Sequence, residues 1–244
     1  MRSHRFYSAI TLAVADILEL PKEASHHCIQ VLRYKIGAQL TLFNGDGFDY
    51  IAQIKSIEGK RCQVEIIEKT VPQNESPLKI HLFQGVARGE KMDLIIQKST
   101  ELGVTQVTPV FTERCNVKLD EKRLNKKQTH WQAVAVSACE QSGRSVVPKI
   151  NPAINIKQIK PILDKEPKTI SFLLEPTASK HLHSYDSLKS VNLFIGPEGG
   201  LSNNDIQVLE NVSVHGVKLG PRILRTETAG LACIAILQSH FGDI

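Results

Sequence analysis

Apolar and polar positions alternate with a period of two through much of the first 70 residues. Tyr50-Ile51-Ala52-Gln53-Ile54 and Cys62-Gln63-Val64-Glu65-Ile66 place every second side chain on one face, the pattern of half-buried strands. Gly59-Lys60 between them suits a hairpin turn. Thr41-Leu42-Phe43 reads as another strand and runs into Asn44-Gly45-Asp46-Gly47, where glycines supply the positive φ of a tight turn. His26 to Arg33 predicts a short helix with Cys28, Ile29 and Leu32 inward. This part therefore reads as a small β-rich unit. Pro72-Gln73-Asn74-Glu75-Ser76-Pro77 is the best linker in the chain, and the expected domains are 1–72 and 73–244.

Beyond the linker the period changes. Lys79 to Gln84 is a short apolar strand. Glu90 to Leu102 carries Met92, Ile95, Ile96 and Leu102 at helical spacing, and Gly103 is a plausible stop. Gln106 to Phe111 is strand-like, and Lys122 to Gly143 is a long helix. Thr169 to Leu174, Val191 to Ile195 and Ser213 to Leu219 are three more short apolar strands. Strands alternating with helices imply an α/β domain with a mostly parallel sheet.

Composition narrows the class. A chain of 244 residues makes one large or two small domains. With 41% hydrophobic and 23% charged residues it can bury a core, which excludes disordered and fibrous classes. No apolar run reaches the roughly 18 to 20 residues of a membrane span. Met1-Arg2-Ser3-His4-Arg5-Phe6-Tyr7 opens no secretion signal, so a cytoplasmic location is expected. Cys28, Cys62, Cys115, Cys139 and Cys233 are odd in number and widely spaced, as reduced thiols are, with no disulfide frame or zinc site.

Charge is uneven. Between Arg114 and Lys149 eight basic residues face three acidic ones, a surplus equal to the whole chain's +5. The basic residues include Lys118, Lys122, Arg123, Lys126, Lys127 and Arg144. Such a stretch suits phosphate contacts, which give affinity and little sequence information.

Three loops carry the candidate chemistry. Leu193-Phe194-Ile195 ends in Gly196-Pro197-Glu198-Gly199-Gly200, and Ser202-x-x-Asp205 then opens a helix as a capping box. Three glycines in five residues exceed what one turn needs, and they let a backbone approach a ligand. The second loop, Leu219-Gly220-Pro221-Arg222-Ile223-Leu224-Arg225, leads to Thr226, a credible N-cap, with Glu227 in the first helical turn. The third is Leu173-Leu174-Glu175-Pro176. Open α/β sheets bind ligands at the carboxyl ends of their strands, so three such ends on one rim describe a pocket. The last helix, Ala229 to His240, is apolar all round through Leu231, Ala232, Cys233, Ile234, Ala235, Ile236 and Leu237. Either the core wraps it or a second subunit covers it, and a homodimer is favoured. Gly-x-Gly-x-x-Gly and Walker loops are missing, and His26-His27 and His181-x-His183 lack metal-site partners.

Several motifs together carry a family likeness. They are Arg88-Gly89-Glu90-Lys91, Lys98-x-x-Glu101-Leu102-Gly103-Val104, Glu140-Gln141-Ser142-Gly143-Arg144, Gly196-Pro197-Glu198-Gly199-Gly200 and Leu219-Gly220-x-x-Ile223-Leu224-Arg225-x-Glu227-Thr228-Ala229. In order and spacing they resemble the SPOUT methyltransferases, and more narrowly the bacterial RsmE family of ribosomal small-subunit RNA uridine-N3 methyltransferases. Arg5-Phe6 and Val31-Leu32-Arg33 resemble that family's PUA-like RNA-binding β-barrel domain.

The resemblance implies a SPOUT domain with a deep C-terminal trefoil knot, an exception to the rule that chains avoid threading. It implies S-adenosylmethionine as methyl donor, with no metal and no membrane. It also implies a homodimer through the last helix, and 16S ribosomal RNA, free or in the assembled small subunit, as substrate. The implied cofactor residues are Leu174, Glu175, Gly196, Pro197, Gly199, Gly200, Leu219, Gly220, Ile223, Leu224, Thr226 and Ala229. Arg5, Arg33, Arg88, Lys126, Lys127 and Arg144 are expected to contact RNA. Uracil N3 is nucleophilic mainly when deprotonated, so the site must create or hold an anion. Arg225 is the expected stabiliser of that charge, and Glu198 a candidate base, the alternative being a structural acceptor in its loop. Two other functions stay open at this stage: a SPOUT methyltransferase acting on transfer RNA, or a non-catalytic RNA-binding factor of ribosome assembly.

Overall fold

The computed structural model describes residues 4–115, 120–182 and 185–244. Lys118 and His183 lie outside the described residues. The chain forms two compact units: Met1–Glu75 with Cys139–Val147, and Ser76–Ala138 with Pro148–Ile244.

The first unit is a five-stranded sheet. Its strands are β1 (Arg5–Tyr7), β2 (Ile17–Glu19), β3 (Gln39–Phe43), β4 (Asp49–Glu58) and β5 (Arg61–Thr70), in the order β1-β3-β4-β5-β2. β1 runs parallel to β3, and the other pairs are antiparallel. The period-two pattern sets the inner face: Tyr50, Ala52 and Ile54 on β4, and Cys62, Val64 and Ile66 on β5, are buried together. Gly59, at φ +62°, turns the β4–β5 hairpin. The helix expected over 26–33 starts earlier and changes form. α1 (Lys22–His26) follows Pro21 and passes into a π-helical turn, His27–Val31. Arg33 then takes a left-handed φ of +53°, outside any helix.

The second unit is a seven-stranded parallel sheet with helices. In chain order it holds β6 (Lys79–Gly85), α2 (Lys91–Glu101), β7 (Gln106–Phe111), α3 (Glu121–Ser142, its last turn in the first unit), β8 (Lys149–Ile150) and β9 (Ile154–Asn155). There follow α4 (Lys160–Leu163), β10 (Ile170–Leu174), β11 (Ser190–Ile195), α5 (Asn203–Glu210), β12 (His215–Val217) and α6 (Thr226–Phe241). The strand order is β12-β10-β11-β6-β7-β8, with β9 also on β7, and every pair is parallel. The expected class, a mostly parallel α/β sheet preceded by a β-rich unit, is what the structure shows. Buried aromatic and aliphatic residues from adjacent strands pack the core, with Phe83 and Phe194 stacked at 4.5 Å between centroids.

Chain order reverses beside β6: β7 leaves on one side, while β10, β11 and β12 lie on the other. That switch point opens a crevice at the carboxyl ends of the strands. α6 is not buried on every side. Ala229, Gly230, Cys233, Ile234, Leu237 and Gln238 are buried, whereas Leu231, Ala232, Ala235 and Ile236 are only half-buried. Gln238 anchors the helix, donating to the Leu102 carbonyl at 2.9 Å and accepting from the Ser76 hydroxyl at 2.6 Å. No helix among the described residues is long and apolar enough to cross a membrane.

Candidate active site

A cleft of about 700 Å³ opens where the chain leaves β10, β11 and β12. Leu173, Leu174 and Glu175 come from the end of β10, and Ile195, Gly196, Pro197, Glu198 and Gly200 from the end of β11. Leu219, Gly220, Ile223, Leu224 and Arg225 come from the loop after β12, and Thr226 and Ala229 from the start of α6. The three loops singled out in the sequence thus line one cavity. Gly199 is the exception among the expected cofactor residues. It does not line the cleft, and a Cβ there would stand 3.1 Å from the Arg114 carbonyl oxygen, so this glycine packs closely against the segment at Arg114.

Local chemistry fixes these loops. Ser202 and Asp205 form the expected capping box, with Asp205 N–H donating to Ser202 Oγ at 3.1 Å and Ser202 N–H donating to Asp205 Oδ2 at 3.0 Å. The N-cap of α6 is Arg225, not Thr226 as the sequence suggested. Thr226 is the first helical residue, and its hydroxyl is spent on the glycine loop, donating to the Gly196 carbonyl at 2.6 Å. It accepts in turn from Gln84 Nε2 at 2.9 Å. At Gly85 a Cβ would meet Pro197 Cδ and N at 2.5 Å, so only glycine lets the loop close over the end of β6.

Gln84, Gly85 and Lys91 are structural partners of the cleft that sequence reasoning missed. The available signal was a polar residue and a glycine closing an otherwise apolar strand.

Electrostatics separate the two candidate catalytic residues. Arg225 is exposed on the cleft wall and makes no ion pair among the described residues. The pairing of Arg225 with Glu227 that sequence proximity allows is not formed, because Glu227 pairs with Lys91 at 3.5 Å. Glu198 is engaged. Its Oε1 accepts the Arg88 N–H at 3.0 Å and pairs with Lys91 Nζ at 3.3 Å. Burial alone would push its carboxyl up, but the Arg88 N–H and the Lys91 ammonium outweigh that and hold it below the usual carboxylate range. A carboxylate so held is a weaker proton acceptor, which fits the structural acceptor in its loop better than the base.

The residues expected at RNA divide sharply. Arg33 and Lys126 are exposed, Lys127 is half-buried, and Arg88 is exposed beside Glu198. Arg144 is only 3% exposed and holds Glu75 at 2.7 Å. Arg5 forms a two-point pair with Asp49 at 2.5 and 2.9 Å and donates to Ser145 Oγ at 2.8 Å. Both guanidiniums are paired with carboxylates inside the first unit, which charge along the sequence alone does not show.

Among the described residues, no three His, Cys, Asp or Glu side chains gather into a metal-holding group.

Comparison with known proteins adds to this geometry. Residues 74–238 match the model of an RNA methyltransferase domain, and residues 20–67 that of an RNA methyltransferase PUA domain. The ribosomal RNA small subunit methyltransferase E of Buchnera aphidicola (from Schizaphis graminum) is 36% identical, covering 100% of this chain and 98% of the relative. The Bacillus subtilis protein of the same name is 30% identical, covering 92% and 90%. A crystal structure of the Neisseria gonorrhoeae ribosomal RNA small subunit methyltransferase E, bound to S-adenosyl methionine, is 37% identical with a TM-score of 0.91, each chain covered in full. A strand-end cleft on a parallel sheet, full-length likeness and both domain models agree: the chain belongs to the family of ribosomal RNA small subunit methyltransferase E proteins.

Proposed function

We propose that this chain is an S-adenosylmethionine-dependent methyltransferase that modifies N3 of a uridine in 16S ribosomal RNA. The observation that carries the proposal is the single cleft joining the glycine loop, the loop after β12 and the exposed Arg225. The cleft suits that donor. Apolar Leu174, Leu219 and Leu224 offer flat contact to an adenine, and the glycine backbone at Gly220, with no side chain over it, lets a base edge and ribose approach closely. When bound, the donor supplies an activated methyl group on a sulfonium that departs as a neutral thioether.

The chain's own residues do the rest. Arg225 presents a permanent cation at the cleft wall, beside the first free N–H groups of α6. Directed at uracil O2 or O4, it favours the imide anion over the neutral base, the N3 proton passing to water, and so raises the nucleophilicity of N3. Glu198 clamps the glycine loop through Lys91 and takes no proton. Arg33 on the PUA-like unit, with Arg88, Lys126 and Lys127, supplies phosphate contacts.

After the edge strand β12 the chain returns across the ends of β10 and β11, so that Thr226 reaches Gly196 and Gln84. That return supports a trefoil knot in residues of the second unit. The half-buried apolar side of α6 supports a homodimer through that helix. The five free cysteines suit a reducing cytoplasm.

Calorimetry with S-adenosylmethionine and the pure chain tests the reading: saturable heat at one site per chain is expected. No heat in the presence of intact small-subunit RNA would leave an RNA-binding assembly factor in its place.

A further inference from the structure

The walls of the cleft are joined at two separate points by residues that do not belong to the cofactor loops. The first point is buried. Gln84 is 0% exposed, and its Nε2 can only donate, which it does to Thr226 Oγ1 at 2.9 Å. A hydroxyl has one proton, so that of Thr226 is directed to the Gly196 carbonyl at 2.6 Å. The second point is on the open side. Lys91 Nζ lies 3.3 Å from Glu198 Oε1 and 3.5 Å from Glu227 Oε2. Both points connect the same three segments: the β6–α2 region, the glycine loop and the first turn of α6. Arg225 directly precedes that turn.

We propose that Gln84 and Lys91 are positioning residues. They form a two-point clamp that seats the glycine loop on the start of α6 and thereby holds Arg225 in register with the cofactor cradle. The inference rests on the methyltransferase function proposed above. Its physical basis is the steep dependence of a methyl transfer on alignment, where a displacement of about 1 Å costs about a hundredfold in rate. The Lys91 pairs are half-exposed and contribute little to stability, so their loss is felt in rate before it is felt in folding.

The test uses the full chain with small-subunit RNA and S-adenosylmethionine. Gln84→Met and Lys91→Met are each expected to lower kcat about tenfold or more, with KM for S-adenosylmethionine within about threefold. Lys91→Arg, which keeps the cation, restores most of kcat. The double variant loses less than the product of the single losses, because both act on one unit. If Gln84→Met fails to fold, Lys91→Met and Lys91→Arg decide the matter alone. Folded Lys91→Met with kcat within about twofold of the parent overturns the clamp, and so does a double variant whose losses multiply. A parent chain that neither binds the donor nor methylates RNA removes the function beneath the inference, a failure distinct from either.

Discussion

Arg225 and Glu198 carry opposite charges on one cleft, yet only the arginine is free to meet a substrate. Arg225→Ala is therefore expected to abolish methyl transfer while calorimetry finds donor affinity within about fivefold, since the loss falls on the developing charge. Unchanged turnover would remove Arg225 from the mechanism. A second residue makes a pH prediction. His81, its ring tilted against Phe83 at 4.0 Å between centroids and bonded to Thr108 Oγ1 at 2.7 Å, has its imidazole pushed down to about 4 by burial. The unfolded chain takes up that proton first, so the contribution is complete above about pH 6.5 and is lost as pH falls towards 4, by about 3 kcal/mol. Urea unfolding of His81→Gln and the parent at about pH 7 and pH 4.5 measures it. The parent should lose more stability on acidification, and equal losses would refute the assignment. The place of Gly196, Gly200, Gly220 and Arg225 on the cleft was legible because loop chemistry is local. The fate of Arg144 was not, because its partner Glu75 lies 69 positions away and a charge does not declare its burial.

At the scale of elements, the long strands and helices were legible from their periods. β1, β2, β8 and β9 were not, having only two or three residues each. Gly85 belongs here, because its need for glycine arises only where β6 meets the loop after β11. Gly85→Ala forces Pro197 aside and is expected to lower the melting temperature and weaken donor binding by about tenfold or more. Calorimetry beside a thermal melt checks it, and native-like values for both would show that the loop can yield. The first half of α3, where Lys126 is exposed and Lys127 half-buried, makes a separate prediction. Reversing charge at Lys126 and Lys127 should weaken RNA binding and shallow its salt dependence by about one to two phosphate contacts, read from affinity against salt concentration. An unaltered slope would return these lysines to a merely solvated face.

At the scale of the molecule, the alternation of strands and helices revealed the parallel sheet, and the change of period near the linker is the basis of the expected domains 1–72 and 73–244. The return of Cys139–Val147 to the first unit was hidden, since a helix that crosses from one unit to another keeps a single period throughout. The cleft was legible as a rim of strand ends, while the residues that brace it from β6 and α2 were not, because bracing is a property of tertiary neighbours. Every role proposed for these residues depends on methyl transfer from this cleft to ribosomal RNA. Its most direct test is mass-spectrometric mapping of small-subunit RNA from cells lacking the chain, before and after incubation of that RNA or its subunit with pure protein and S-adenosylmethionine. One 3-methyluridine missing at first and restored by the protein is the expected result. Its presence in the deleted cells, or a restored methyl group on another atom or another class of RNA, would contradict it.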